Sequence, residues 1–122
     1  MSTPKPDVVA TYHGIEVLNG DHLGPQMILN MQEGRYERRE VRSALLEVNA
    51  TDTIIEMGAG AGIVGAIVAK NCKPKKTVSF EANKTLIEHI RRLYKHNKID
   101  RRIKVRSKIV LAEPNPPKSV DF

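Results

Sequence analysis

The 122-residue chain has no tryptophan, and aromatic residues make up only 4% of it. Its core must therefore be built from Ile, Val, Leu, Met and Ala. A single cysteine, Cys72, excludes an internal disulfide, and its place at the end of an apolar stretch before lysines reads as structural rather than nucleophilic. No Cys/His group has metal-ligand spacing, so no metal is expected. No apolar run approaches the roughly 20 residues that cross a bilayer, so a membrane is not expected as a partner. Met1 to Asp7 carries two prolines and no apolar segment, unlike a secretory signal. A cytoplasmic protein is the expectation. What is present is ordinary for a globular chain: 40% hydrophobic and 28% charged residues, which excludes wholesale disorder and fibrous repeats. The length fits one small domain or a piece of a larger one.

Positive charge is concentrated. The net charge is +6, yet Lys84 to Lys108 holds ten basic residues against Glu88 and Asp100, so that segment is +8 and the rest sums to −2. Such a block attracts anions or nucleic acid. Only Tyr94 within it is aromatic, so it lacks the stacking platform of single-strand binders. A solvated helix face is the simpler reading, with a basic nucleic-acid-binding or scaffold module as the alternative.

Val8 to Leu18 reads as two short β-prone runs around His13-Gly14, a small hairpin. Gln26 to Gln32 fits a short helix, and Tyr36 to Val48 a longer one with Val41, Leu45 and Val48 on one face. Thr53-Ile54-Ile55 is a strand, followed by a glycine cluster and an apolar helix from Ile63 to Lys70. Thr77 to Phe80 is a second strand. Asn83 caps a helix in which Leu86, Ile90 and Leu93 repeat at helical spacing. Ile103 and Val105, extended by Ile109 to Leu111, form a third strand. The alternation predicts an α/β fold: a Rossmann-like, partial parallel sheet of about three central strands with flanking helices, preceded by a small N-terminal β-hairpin and helix. The organisation expected is a lead-in over 1–50, a ligand-binding half-domain over 51–112, and a loop or truncated tail over 113–122.

Glu56-Met57-Gly58-Ala59-Gly60-Ala61-Gly62 lies between the first central strand and its helix. Glycines there let the backbone turn sharply and approach a ligand, and the free amides of the next helix favour nucleotide-like groups. Two ligand classes compete. The dinucleotide fingerprint can be read from Gly60, Gly62 and Gly65, but its first glycine falls two residues late; started at Gly58, its third glycine is misplaced. Glu56 argues further against a dinucleotide, because a carboxylate at the end of a buried strand is costly and an anionic pyrophosphate would make it costlier. S-adenosylmethionine has a sulfonium and an ammonium and no phosphate, so it suits Glu56. Glu81, about 20 residues past the loop, is placed to accept ribose hydroxyls of either class.

These stretches resemble the class I S-adenosylmethionine-dependent methyltransferases, and within them the FkbM family. Besides the glycine segment, Gly34-Arg35-Tyr36-Glu37, Phe80-Glu81-Ala82-Asn83, Tyr94-Lys95-His96-Asn97 and Ile103-Lys104-Val105 carry the likeness, which covers roughly Gly34 to Leu111. The resemblance implies that Gly58, Ala59, Gly60 and Gly62 form the loop under the cofactor and that Glu56 holds the methionine ammonium. It places Glu81 on the ribose, Ala82 and Asn83 near adenine, and Tyr36 and Glu37 approaching from the preceding segment. It also implies O-methylation of a sugar or other small-molecule hydroxyl. Domains of this class have about seven strands, so either the chain is truncated or a homo-oligomeric or second chain completes the sheet. The residue beside the transferred methyl lies past this chain's end in such domains; Asp121, after Pro116-Pro117, reads as loop. No general base is assigned from His13, His22, His89 or His96.

Overall fold

A computed structural model describes residues 7–108. The expected strand at Ile109 to Leu111, the tail over 113–122 and Asp121 lie outside the described residues. Two strands open the fold, β1 (Val8–Tyr12) and β2 (Ile15–Leu18), paired antiparallel. Their turn is His13-Gly14, with φ of 47° and 80°. Positive φ at both central residues is what a two-residue hairpin turn requires, and it matches the twist of the flanking strands. Helices α1 (Pro25–Gln32) and α2 (Arg38–Glu47) follow. Helix α2 starts two residues later than its apolar periodicity predicts, because Glu37 sits at φ 47° in the left-handed region. The amides of Arg35 and Tyr36 both donate to the Asn30 carbonyl, so the chain folds back on α1 before α2 can begin.

The remaining elements alternate: β3 (Thr53–Met57), α3 (Ile63–Asn71), β4 (Lys76–Phe80), α4 (Lys84–His96) and β5 (Ile103–Arg106). The three strands are parallel in the order β3-β4-β5, with Glu56 beside Ser79 and Ser79 beside Val105. Because both crossovers run in the same direction, right-handed connections put α3 and α4 on one face of the sheet. That face carries Ile54, Glu56, Thr77, Ser79, Ile103 and Val105. The other face is bare among the described residues, leaving Ile55 64% and Met57 70% exposed.

The hairpin closes the far side of the same core. Tyr12, Ile15 and Val17 pack into one cluster with Ile63, Ile67, Ile90 and Leu93. Asn97 ties the two parts together, its Oδ1 accepting from the Glu16 amide at 2.8 Å and its Nδ2 donating to the Glu16 carbonyl at 3.0 Å. The α/β architecture is thus the one the alternation predicts. Among the described residues, no helix is long and apolar enough to cross a membrane.

Candidate functional site

A cavity of about 460 Å³ opens at the carboxyl end of β3, between the glycine segment and α2. Tyr36, Glu37, Glu40, Glu56, Gly58 and Gly60 all line it. Three carboxylates around one hollow, in a chain of net charge +6, make it the acidic counterpoint to an otherwise basic protein.

Glu56 is the innermost of the three. Strand alternation turns its side chain to the helix-covered face, where the Ser79 hydroxyl donates to Oε1 at 2.7 Å. Burial pushes its pKa up from 4.5 to about 6, and the Glu40 and Glu81 charges push the same way. The Ser79 bond and the Gly65 amide oppose that rise without cancelling it. The carboxylate is therefore short of positive partners, and a cation in the cavity would supply one. Tyr94, buried on α4, adds its hydroxyl beside Ser79, with burial raising its own pKa.

Glu81 is also placed by its strand, at the end of β4, but its carboxylate is already engaged. Oε1 accepts the Gly60 amide at 2.8 Å and Oε2 accepts the Asn83 amide at 2.9 Å. Each carboxylate oxygen has a second lone pair, so the group still accepts from a ligand while it fixes the loop. Asn83 caps α4, its side chain accepting from the Thr85 amide at 3.0 Å. Ala82 and Asn83 are half-buried beside Glu81, whereas Ala59 is buried in the core.

The glycines divide by what surrounds them. Gly58 and Gly60 have φ of 78° and 58°, and nothing lies within 4 Å of where a Cβ would stand, so these positions need glycine for the turn and leave open space above it. A Cβ at Gly62 would lie 3.2 Å from Ile90, so this glycine lets α4 pack against the loop. At Gly65 a Cβ would come within 2.6 Å of Glu56 Oε1. The third glycine of the dinucleotide reading therefore serves the Glu56 carboxylate. Gly65→Ala is expected to displace Glu56 from Ser79 and weaken the binding of a cationic ligand in the cavity about tenfold, as the Glu56 carboxylate loses its place. Stability is expected to fall by about 1 kcal/mol, because the buried Ser79 hydroxyl loses a charged acceptor and alanine's helix preference of about 1 kcal/mol recovers only part of that. Calorimetric titration beside thermal unfolding measures both.

The site thus brings together Glu56, Gly58, Ala59, Gly60, Tyr36 and Glu37 around one cavity, with Glu81 behind Gly60. Glu40 was missed by sequence reasoning, although its position three residues after the strained Glu37 puts it on the same side of α2. Ser79 was missed as well; its signal is a polar residue inside an otherwise apolar strand, and it is fully buried. None of the histidines lines this cavity. His96 meets Glu16 at 2.9 Å on the surface, and His89 stacks on His22 with ring centroids 3.8 Å apart.

Comparison with known proteins gives the site its context. Among curated proteins, none matches the chain in sequence. Among solved structures, PH0793 of Pyrococcus horikoshii, assigned as a transferase, superposes with a TM-score of 0.63 at 15% identity over 81% of this chain and 35% of its own. TYW2 from P. horikoshii, solved with MeSAdo, gives 0.60 at 15% identity over 79% of this chain and 33% of its own. TYW2 from M. jannaschii, solved with AdoMet, gives 0.50 at 25% identity over 55% of this chain and 30% of its own. The chain spans about a third of the length of these structures. Residues 41–122 match the Methyltransferase small domain family, a stretch that includes every central strand and the whole glycine segment. The chain belongs to that family, within the class I S-adenosylmethionine-dependent methyltransferases.

Proposed function

We propose that this chain supplies the cofactor-binding part of an S-adenosylmethionine-dependent methyltransferase that acts in the cytoplasm. The observation that carries the reading is the acidic hollow beside the glycine loop, with Glu56 held ready at its floor and short of a positive partner. The cavity volume lies within the range of small-molecule sites. Glu56 would pair with the methionine ammonium, Glu81 would accept the ribose hydroxyls, and Ala82 and Asn83 would border the adenine. Gly58, Gly60 and Gly62 would pass beneath, while Tyr36 and Glu37 would close the side nearest α2. S-adenosylmethionine supplies a methyl group already activated by its sulfonium. The chain's own share is orientation and charge balance.

The acceptor belongs to the same proposal. The FkbM resemblance of Gly34 to Glu37 and of Tyr94 to Asn97 favours a hydroxyl of a sugar or other small metabolite, whose proton must pass to a base as the C–O bond forms. A specific observation favours a second acceptor class: Arg91, Arg92, Lys95, Lys98, Arg101 and Arg102 are all exposed around the end of α4. That surface suits a phosphate backbone. A further segment or a second chain would cover the bare face at Ile55 and Met57 in either case. The test is calorimetric titration of the purified chain with S-adenosylmethionine and, separately, with NADH. Saturable one-to-one heat with the first and none with the second is expected; the reverse would overturn the reading.

A further inference from the structure

The loop between β2 and α1 places Asp21 and His22 against the exposed side of α4. His22 stacks on His89 with 16° between the ring planes, and Asp21 Oδ1 lies 3.3 Å from His89 Nε2. One ligand atom from each of the three residues falls within 4.8 Å of the others. Among the described residues, no group hydrogen-bonds the buried Nδ1 of His22. We propose that Asp21, His22 and His89 form a three-ligand site for a divalent transition ion of the zinc class, outside the cavity that Glu56 lines.

The chemistry of the donors selects the ion. Two imidazoles and one carboxylate suit zinc and its neighbours rather than magnesium or calcium, which prefer all-oxygen shells. Metal–ligand bonds of about 2.0–2.2 Å in a tetrahedron hold adjacent donor atoms about 3.4 Å apart. The Asp21–His89 separation of 3.3 Å already has that bite. The His22 and His89 rings are stacked with nearly parallel planes, so the His22 ring must swing out of the stack before its nitrogen points at the same ion and adds the third ligand. Gly20 makes the arrangement sterically feasible, since a Cβ there would lie 2.5 Å from His22 Nδ1 and 3.1 Å from His89 Cε1. Arg92 and Lys84 are the nearby charges that oppose a cation. The fourth position would face a cavity lined by Asn83, Lys84, Thr85 and Glu88. No local spacing reveals the trio, because Asp21-His22 and His89 sit on separate elements; this is why the sequence predicts no metal.

Bound there, the ion would pin the β2–α1 loop to α4. Titration of the whole chain with Co²⁺, followed by its visible absorption and by displacement with Zn²⁺, tests this. One equivalent of tetrahedral Co²⁺ is expected, together with a higher unfolding temperature in Zn²⁺. Asp21→Asn and His22→Gln should each weaken binding at least tenfold, whereas His13→Gln and Cys72→Ala should leave it unchanged. The Asp21 side chain is 96% exposed, so its substitution leaves folding intact. Wild-type affinity in either Asp21→Asn or His22→Gln, or the absence of a tetrahedral Co²⁺ spectrum at one equivalent, would overturn the proposal.

Discussion

Replacing Glu81 with alanine is expected to weaken S-adenosylmethionine binding by at least about a hundredfold. The carboxylate does two things at once: it receives the Gly60 amide at 2.8 Å and the Asn83 amide at 2.9 Å, joining the glycine loop to the start of α4. Hydrogen bonds to a charged group are worth about 1.5–3 kcal/mol each, so losing both frees the loop by more than the binding equilibrium tolerates. The same change removes the acceptor proposed for the ribose hydroxyls. Gly60, at φ 58° with open space beside it, has no other side chain holding its amide among the described residues. Glu81→Gln separates the two roles. Its amide oxygen can still receive one backbone N–H, so it should retain part of the loop order and lose about tenfold in affinity. Calorimetry gives the affinities, and exchange protection of the Gly60 amide reports the loop. A folded Glu81→Ala chain that binds within threefold of wild type would sink the assignment.

The order of elements was legible because hydrophobic period and punctuation agreed. Thr53 to Ile55 is β-branched, glycines stop it, and Asn83 announces α4 with a side chain that indeed caps it. Glu56 and Glu81 were legible as strand-end carboxylates, since a costly charge at such a position implies a task. What the sequence could not reveal are relations across distance. Glu40 reaches the cavity only because the chain after the turn at Glu37 seats α2 against α3. The need for glycine at position 65 follows from a carboxylate nine residues earlier, which no local spacing encodes. Glu81's work on the loop amide was hidden for the same reason: the ribose role implied by the resemblance says nothing of what the group does before a ligand arrives. His22 and His89 looked like unrelated loop and surface residues until the fold stacked them.

The second large effect concerns proton linkage at Glu56. Its pKa is raised to about 6 chiefly by burial, so near that pH the empty site is half protonated. A cation in the hollow favours the carboxylate, so binding at low pH must first expel a proton. Affinity for S-adenosylmethionine is therefore expected to be level above pH about 6 and to fall toward tenfold per pH unit below it. Folding stability runs the other way. A carboxyl whose pKa is higher folded than unfolded favours the folded state fully below the ordinary value of 4.5 and loses that contribution as pH rises through about 6. The difference amounts to about 2 kcal/mol at 1.36 kcal/mol per unit. Glu56→Gln removes the titrating group and keeps the shape and one acceptor for Ser79. That variant should bind weakly at every pH, with the acid-side slope abolished, and should unfold at higher denaturant at pH 7 than wild type. Calorimetric titrations from pH 5 to pH 7, paired with urea unfolding at the same points, measure both slopes. If wild-type affinity is flat across that window, or if the glutamine variant retains the slope, Glu56 is not the group that meets the cofactor's positive charge.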